Sequence, residues 1–454
     1  MTTAKLTQGT VSAGLLSLTL PMMLGIFANL GAALFETWLL GGVSTNALAA
    51  YSFTFAITGA LGSLSLGISI GLSSVLARTI GSGDMHMTRR LATDGISLLA
   101  LIMLVASTIG YFTIEPLFLL LGADNDTLPL IISYMQIWYV ALIFFALPAI
   151  GANALRATGD GRISGSIMVG GAALQAMLDP ILILGLFGMP ALGLEGAAWA
   201  MLTSRVILCF LTYYVLIYRE NLLDFSKTSA EIVLHSWRRI LAVGIPATAT
   251  NLIGPISTAI IVSLLAGYGK EAVAGFGIAS RVEALSVIPL FALSASIGPF
   301  VGQNWGAQRF DRANQGMQMA FSVAIIWGLS VALLFLLFGS HIGGLFADDP
   351  SAVAYASLYL AIVPLSYGTW GVLMMASATF NSLGKPISST IMSVVRMFVV
   401  YVPLAYVGRH YFDVAGIFAA ACISNILMGA LGYSWNRLTY GDKARLANGQ
   451  VESR

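Results

Sequence analysis

Leu34-Phe35-Glu36-Thr37-Trp38-Leu39-Leu40 places one carboxylate inside a run of apolar residues that begins near residue 13. About 20 apolar residues suffice for a helix to cross a hydrocarbon layer of about 30 Å. An ionisable side chain at that depth costs about 2.5–3.5 kcal/mol on insertion scales, so it turns toward protein or a wet cavity and normally has a task. A second such acid stands in Gln175-Ala176-Met177-Leu178-Asp179-Pro180. Reading outward from these two carboxylates decides the class of the chain.

Of 454 residues, 57% are hydrophobic and 9% are charged, against about 25% charged in soluble domains. Twelve apolar windows are each long enough to span a bilayer, near 13–40, 46–77, 92–114, 128–152, 163–187, 195–218, 239–265, 271–301, 316–339, 352–378, 387–407 and 414–436. Window length, and apolar residues on every face, point to helices and not to a barrel. The expected fold is therefore all-α, an integral membrane protein of twelve transmembrane helices. The 48 glycines suit close helix approach in lipid, as in Gly67-Ile68-Ser69-Ile70-Gly71 and at Gly165, Gly170 and Gly171. Cys209 and Cys422 lie in apolar spans and read as small core residues, not as a disulfide or metal site. The first ten residues are polar and the first apolar run is too long for a signal-peptide core, so no cleavable leader is expected. The net charge of +2 and the lack of a basic tract give no reason to expect a nucleic-acid partner.

Of the 22 Lys and Arg, only Lys270 and Arg409 fall in loops on the side opposite the termini, and only Arg205, Arg281 and Arg396 fall within spans. The positive-inside rule then predicts both termini in the cytoplasm of a cell whose inner membrane holds the chain. Glu115, Asp124, Asp126, Asp348 and Asp349 belong to the outer loops on this reading.

The chain also repeats itself. At an offset of 225, Pro21 meets Pro246, Gly42 meets Gly267, Ser69 meets Ser294, Gly81 meets Gly306 and Gly159 meets Gly384. Further on the offset falls to 223, with Pro180 meeting Pro403 and Gly193 meeting Gly416. Each half holds six spans, an even number, so the two repeats are parallel, as in some transporters. The expected organisation is an N-terminal lobe over 1–218, an inter-lobe linker over 219–238, a C-terminal lobe over 239–436 and a tail over 437–454. Two lobes about a central cavity suit alternating access.

With these motifs in hand, a family resemblance becomes specific. Val301-Gly302-Gln303-Asn304-Trp305-Gly306-Ala307-Gln308-Arg309-Phe310-Asp311-Arg312-Ala313 resembles the segment after the eighth helix in the multidrug and toxic compound extrusion (MATE) family. Leu20-Pro21-Met22-Met23 resembles that family's first helix, and Arg156-Ala157-Thr158-Gly159-Asp160 the loop after its fourth. The resemblance covers about residues 10–440 and is greatest to the DinF-like branch. It implies a MATE-type fold of two six-helix lobes, and a proton or cation site made by an acid late in the first helix and an acid-proline pair in the fifth. Glu36 and Asp179-Pro180 occupy those positions, with departures: Glu36 stands where Asp is usual, Gln175 where Asn is common and Ala32 where Tyr is common. The NorM-like branch uses acids in the seventh and tenth helices, and those spans contain none here.

The residues themselves support ion coupling. Two nearby buried carboxylates cannot both ionise cheaply, so a pair can share or exchange a proton, and the titration then belongs to the pair. Gln175 lies one turn before Asp179 and could hydrogen-bond it or ligate a cation; plain helix packing is the alternative. For Glu36 the alternative is an interfacial residue near the turn at Gly41, and for Asp179 a structural hydrogen-bonding acid. Pro21 and Pro180 remove backbone hydrogen bonds and serve as bending points or static kinks. Glu283 is a candidate second-lobe ion or substrate contact, with an outer interfacial or structural role the favoured one. Met22, Met23, Phe53, Met168 and Met177, with Phe291 and Met374 in the second lobe, are candidate cavity residues, since thioethers and aromatic faces accept bulky, often cationic ligands.

These readings converge on a secondary antiporter that exports amphipathic organic compounds in exchange for protons or sodium, acting as a monomer, with no cofactor and no metal centre. A lipid-linked precursor flippase of the same superfamily is the rival within transport; it should line its groove with more cations than Arg205, Arg281 and Arg396. A membrane enzyme should show a metal-ligand cluster or a nucleophile-base pair, and an ATP-driven pump a phosphate-binding loop; neither motif is present.

Overall fold

The computed structural model describes residues 4–226, 228–344 and 349–441. Lys227, Asp348 and tail residues 442–454, including Lys443, Arg445 and Arg454, lie outside the described residues. Helices dominate: α1 (Val11–Val43), α2 (Thr45–Gly81), α3 (Met85–Phe112), α4 (Leu128–Ala157), α5 (Gly161–Leu184), α6 (Leu194–Tyr214) and α7 (Ala230–Ala266). The eighth span, α8, is a bent pair, Lys270–Ser286 and Ile288–Gly306, at 46°. Then come α9 (Phe310–Gly344) and α10 (Pro350–Ser382). The last apolar stretch, Pro386–Tyr440, has 55 residues, about 80 Å as one helix and far more than a bilayer. It breaks at Phe412 and Asp413, where Asp413 takes φ 52° and ψ −136°. A Cβ built on Gly408 would stand 2.5 Å from the Gly416 carbonyl, so the chain folds back there into two packed spans, α11 (386–411) and α12 (414–436). Among the described residues twelve spans result, as expected.

Local chemistry sets the helix starts. Ser44, Asp84 and Asp160 each accept a backbone N–H two or three residues into the helix that follows, from Ala47 at 3.0 Å, Met87 at 2.9 Å and Ile163 at 3.1 Å. Before α4, the exposed Asp124 accepts the Thr127 hydroxyl at 2.6 Å and the Thr127 N–H at 2.8 Å, and these bonds hold its carboxyl below the usual carboxylate range.

Two compact units form. Unit 1 gathers Leu20–Thr248 with Lys5; unit 2 gathers Leu6–Thr19 with the chain from Ala249 onward. This differs from lobes divided at 218 and 239. Residues 219–238 are no free linker, because they are bound into unit 1: Leu222 is fully buried, Asp224 N–H donates to Thr93 Oγ1 at 2.8 Å, and the Trp237 indole donates to the Asp94 carbonyl at 2.9 Å. The first turns of α1 belong with unit 2. The unit boundary crosses α1 just before Pro21 and α7 three residues past Pro246, the same two prolines that the duplication superimposes.

Each unit has its own apolar core. In unit 1, Leu72, Leu76, Leu99, Met135, Leu142 and Leu155 are sealed together; in unit 2, Phe300, Leu360, Met375, Phe380 and Phe418. The Val301–Ala313 motif has a clear task inside unit 2. Gln303 accepts the Leu6 N–H at 3.0 Å, Asn304 donates to the Leu6 carbonyl, Arg309 binds the Thr7 carbonyl, and Arg312 binds the carbonyls of Leu6, Gln8 and Gly9. It holds the chain that leads into α1.

Backbone conformation tests the duplication. Gly159 and Gly384, 225 apart, both have positive φ, 92° and 74°, in the turns after α4 and α10, a region that only glycine enters cheaply. Farther on the sequence pairing needs correcting. Gly193, at φ 54° and ψ −127°, matches Asp413 in conformation and not Gly416. The partner of Gly416 is Gly196: both press on the preceding span's carbonyls, at Leu182 and Gly408. The offset has fallen to 220 because the α11–α12 turn is shorter than the α5–α6 connection.

Close helix approach is the packing device. A Cβ on Gly71 would lie 2.5 Å from the Ile240 carbonyl, whereas one on Gly170 meets nothing within 4 Å. Gly71→Val should therefore lower the thermal midpoint of the detergent-purified protein by several degrees, the scale of a 1–3 kcal/mol overpacking cost. Gly170→Val should leave the midpoint within error of wild type.

Candidate functional site

Glu36 and Asp179 both lie in the interior of unit 1. Glu36, late in α1, is 4% exposed and Asp179, late in α5, is 0% exposed. α1 continues to Val43, and Glu36 is packed inside unit 1 against protein.

The two acids have unequal surroundings. Gln175 donates its side-chain amide to Glu36 Oε2 at 3.1 Å. It therefore serves the acid on the neighbouring helix and not Asp179 on its own. The Tyr51 hydroxyl, from α2, is a second donor to Glu36, and the Arg205 guanidinium, from α6, is its nearest opposite charge. Asp179 has neither advantage. Both of its oxygens are sealed from solvent without a hydrogen-bond partner, and the formal charge it faces is Glu36. The phenols of Tyr51 and Tyr134 stand over both acids, their rings edge to face with centroids 5.8 Å apart. Arg205 lies above the Phe145 ring at 5.3 Å.

Sequence reasoning missed Tyr51, Tyr134 and the role of Arg205. A signal existed: Tyr134 and Tyr359 fall at the 225 offset, and Tyr359 in unit 2 makes the matching edge-to-face pair with Phe276, the offset partner of Tyr51, at 5.7 Å. The Tyr51 phenol, coming from α2, supplies the polar neighbour that Ala32 withholds.

Pro21 and Pro180 both sit inside their helices. Pro21 lies against Gly165, where an added Cβ would come 2.6 Å from the proline, so α1 is seated on α5 at this proline. The candidate cavity residues do not share one environment. Met22 is 3% exposed and its Sδ lies 2.6 Å from an Arg156 nitrogen, so it is packing and not lining. Met168 packs on Gly25, and Met23 and Phe53 are half-buried. Met177 is 68% exposed, facing away from its helix neighbours. In unit 2, Phe291 is exposed and stacks edge to face on Trp370, and the Met374 carbonyl accepts the Ser294 hydroxyl. A separate groove of about 560 Å³ in unit 2 is lined by Gln318, Phe321, Thr369 and Tyr433 and contains none of these residues.

Glu283 also needs correction. It is thirteen residues into a helix that starts at Lys270, and it accepts hydrogen bonds from Tyr359 and Tyr367. It is an interior residue and not an outer interfacial one. Asp160 pairs with Lys5 at 3.7 Å and Arg219 at 3.9 Å while capping α5.

Comparison with known proteins shows the family of the chain. The MatE family model matches twice, over residues 21–181 and 246–407, and the two matches start 225 residues apart. A protein of Shewanella oneidensis named FAD transporter is 34% identical over 92% of this chain and 93% of its own length. The probable multidrug resistance protein YoeA of Bacillus subtilis is 26% identical over 87% and 88%. The crystal structure of the Vibrio cholerae MATE transporter VcmN in the bent form superimposes with a TM-score of 0.90 at 25% identity, covering 96% of this chain and 98% of that one.

The unequal surroundings make opposite predictions for stability. Asp179→Leu removes two oxygens that have no donor, and should raise the thermal midpoint of the purified protein. Glu36→Leu strips the Gln175 amide and Arg205 of their acceptor, and should lower it, at about 1–3 kcal/mol per stranded group. Thermal unfolding of the two variants beside wild type checks both signs.

Proposed function

Because the chain belongs to the MatE family of membrane transporters, we propose that it is a proton-coupled exporter of the DinF-like kind, working by alternating access in the inner membrane with both termini in the cytoplasm. The observation that carries this reading is the state of Asp179: a buried carboxyl with two unpartnered oxygens beside a second acid whose donors are already arranged. Glu36 can remain ionised, since Gln175 and Tyr51 donate to it and Arg205 balances it. Asp179 is then the exchanging group, neutral when loaded, because an unpaired charge in a low-dielectric interior is costly.

Release of that proton puts a second negative charge beside Glu36 with one guanidinium to balance both. The two helices that carry the acids are jointed at Pro21 and Pro180, and repulsion between the acids can be relieved by bending there. A carboxyl load thus becomes a change in helix shape within unit 1. Sodium would need several more oxygen ligands than the pair and its phenols offer, and would sit beside Arg205, so the proton is the favoured coupling ion.

For the substrate, YoeA and other multidrug relatives support amphipathic organic compounds. A second reading rests on the FAD transporter of Shewanella oneidensis, the relative with 34% identity: the cargo is then a flavin dinucleotide, planar and aromatic at both ends and anionic in the middle.

The test is efflux from proteoliposomes under separately imposed pH and sodium gradients, with ethidium and FAD as alternative cargoes. Wild type should respond to the pH gradient alone. Asp179→Asn should lose at least about 90% of that response, a tenfold effect of the size expected for a missing proton-transfer group, and Glu36→Gln should be impaired less. Wild-type rates in Asp179→Asn would sink the proposal, and transport of FAD with no transport of ethidium would select the second reading.

A further inference from the structure

Unit 2 has an acid centre of its own, built from different helices. Glu283 lies about 20 Å along the first segment of α8. Two buried phenols from α10, Tyr359 at 2.5 Å and Tyr367 at 2.8 Å, donate to the same oxygen, Oε2. Oε1 receives no donor among the described residues, and it is not sealed as the oxygens of Asp179 are. One lone-pair face of this carboxylate is therefore committed and the other is open.

The charged and titratable groups around it are few. Tyr359 and Tyr367 face it from α10, and Arg396 faces it from α11, with Tyr401 behind. Arg281 on its own helix is exposed and two residues away, a spacing that points it elsewhere. The second segment of α8 and α9, which also pack on this helix, bring no charge to it. Arg396 makes no ion pair with Glu283. Its Nη1 is bonded to Asn425 Oδ1 at 3.0 Å, and the Asn425 amide passes on to Ser366 Oγ at 3.1 Å.

Three interruptions of regular helix surround this cluster. The 46° break of α8 falls at Val287, four residues beyond Glu283. The 3₁₀ turn Val363–Ser366, with Pro364, separates Tyr359 from Tyr367 in α10. The π-helical stretch Val395–Tyr401 carries both Arg396 and Tyr401 in α11. Segments of 3₁₀ or π geometry inside long helices commonly mark hinges and functional sites. Here all three meet at one carboxylate. The seventh and tenth spans still contain no acid, so this is not the acid set of the NorM-like branch.

We propose that Glu283 is a second proton-exchange site, housed in unit 2 and separate from the Glu36–Asp179 pair, in which Oε1 takes the proton and the two phenols transmit the change to the broken helix α10. Loading converts the carboxylate to a neutral carboxyl. The phenols then face a weaker acceptor, and Arg396 loses its nearest counter-charge. Tyr359 lies before the 3₁₀ turn and Tyr367 after it, so loosening both bonds frees the joint between the two parts of α10. Sodium is a poor alternative ligand beside a guanidinium, because it would bring a full charge to the site without the short covalent bond of a proton.

The test needs no transport. The full chain in lipid nanodiscs is titrated with buffer from about pH 5 to about pH 9, a range chosen to bracket shifted carboxyl groups, while infrared difference spectra record the protonated-carboxyl carbonyl band. Wild type should lose this band in two components on alkalinisation. Glu283→Gln should delete one component, and Asp179→Asn a different one. In Tyr359→Phe combined with Tyr367→Phe, the Glu283 component should persist and move to higher wavenumber, because a carbonyl with fewer donors is a stiffer bond. Exchange of potassium for sodium at constant pH should leave it unchanged. The proposal is overturned if Glu283→Gln superimposes on wild type, if the double Phe variant leaves the band where it was, or if sodium erases it. Loss of only the Asp179 component would leave the proposed function intact and remove this one.

Discussion

A carboxylate within a lipid-facing helix bundle has only the donors that the fold carries to it, since no bulk water can substitute. This constraint orders the interior of unit 1. Glu36 receives the Gln175 amide and the Tyr51 hydroxyl and is balanced by Arg205, whereas Asp179 receives nothing. Evenly satisfied, the pair would be a static structural feature. Unevenly satisfied, it has one member whose charge is supported by donors and one whose charge is not.

The duplication supplies the frame, and the chemistry within the frame has diverged. The chain passes from one unit to the other near two equivalent prolines, Pro21 and Pro246, and each unit holds an edge-to-face aromatic pair, Tyr51 with Tyr134 and Phe276 with Tyr359. Around that pair the acids differ. In unit 1 they come from α1 and α5, each with a proline in its own helix. In unit 2 the acid comes from α8, and the irregular geometry lies at Val287, at residues 363–366 and at residues 395–401. One architecture thus presents two polar centres with different means of bending the helices near them. Loop lengths diverged too, which is why Gly196 and not Gly193 is the counterpart of Gly416.

Span number, helical class, the internal repeat and the identity of the two acids were legible in the chain because each depends on composition or on spacing along one helix. Apolar length dictates a membrane helix, and an isolated charge within it stands out against that background. The Val301–Ala313 motif was visible as well, although its work of gripping the carbonyls of Leu6, Thr7, Gln8 and Gly9 was not, since nearly 300 residues separate the partners. The same distance limit hid the hydrogen-bond partner of Gln175. Spacing of four residues put it beside Asp179, but the side chain crosses to α1, where a carboxylate lies within its reach.

The sequence by itself determined that this is a twelve-span membrane protein with Glu36 and Asp179 set inside apolar runs of its first half. Hydrocarbon thickness and the cost of a buried charge act on each segment separately, so those facts need no tertiary information. Only the tertiary structure decided which acid is supplied with donors, that residues 219–238 belong to unit 1, that Met22 packs beside Arg156, and that Glu283 lies in an interior cluster with Tyr359, Tyr367 and Arg396. Each of these depends on side chains that meet across helices far apart in the chain, and pairing of that kind leaves no periodic trace in the residues that take part.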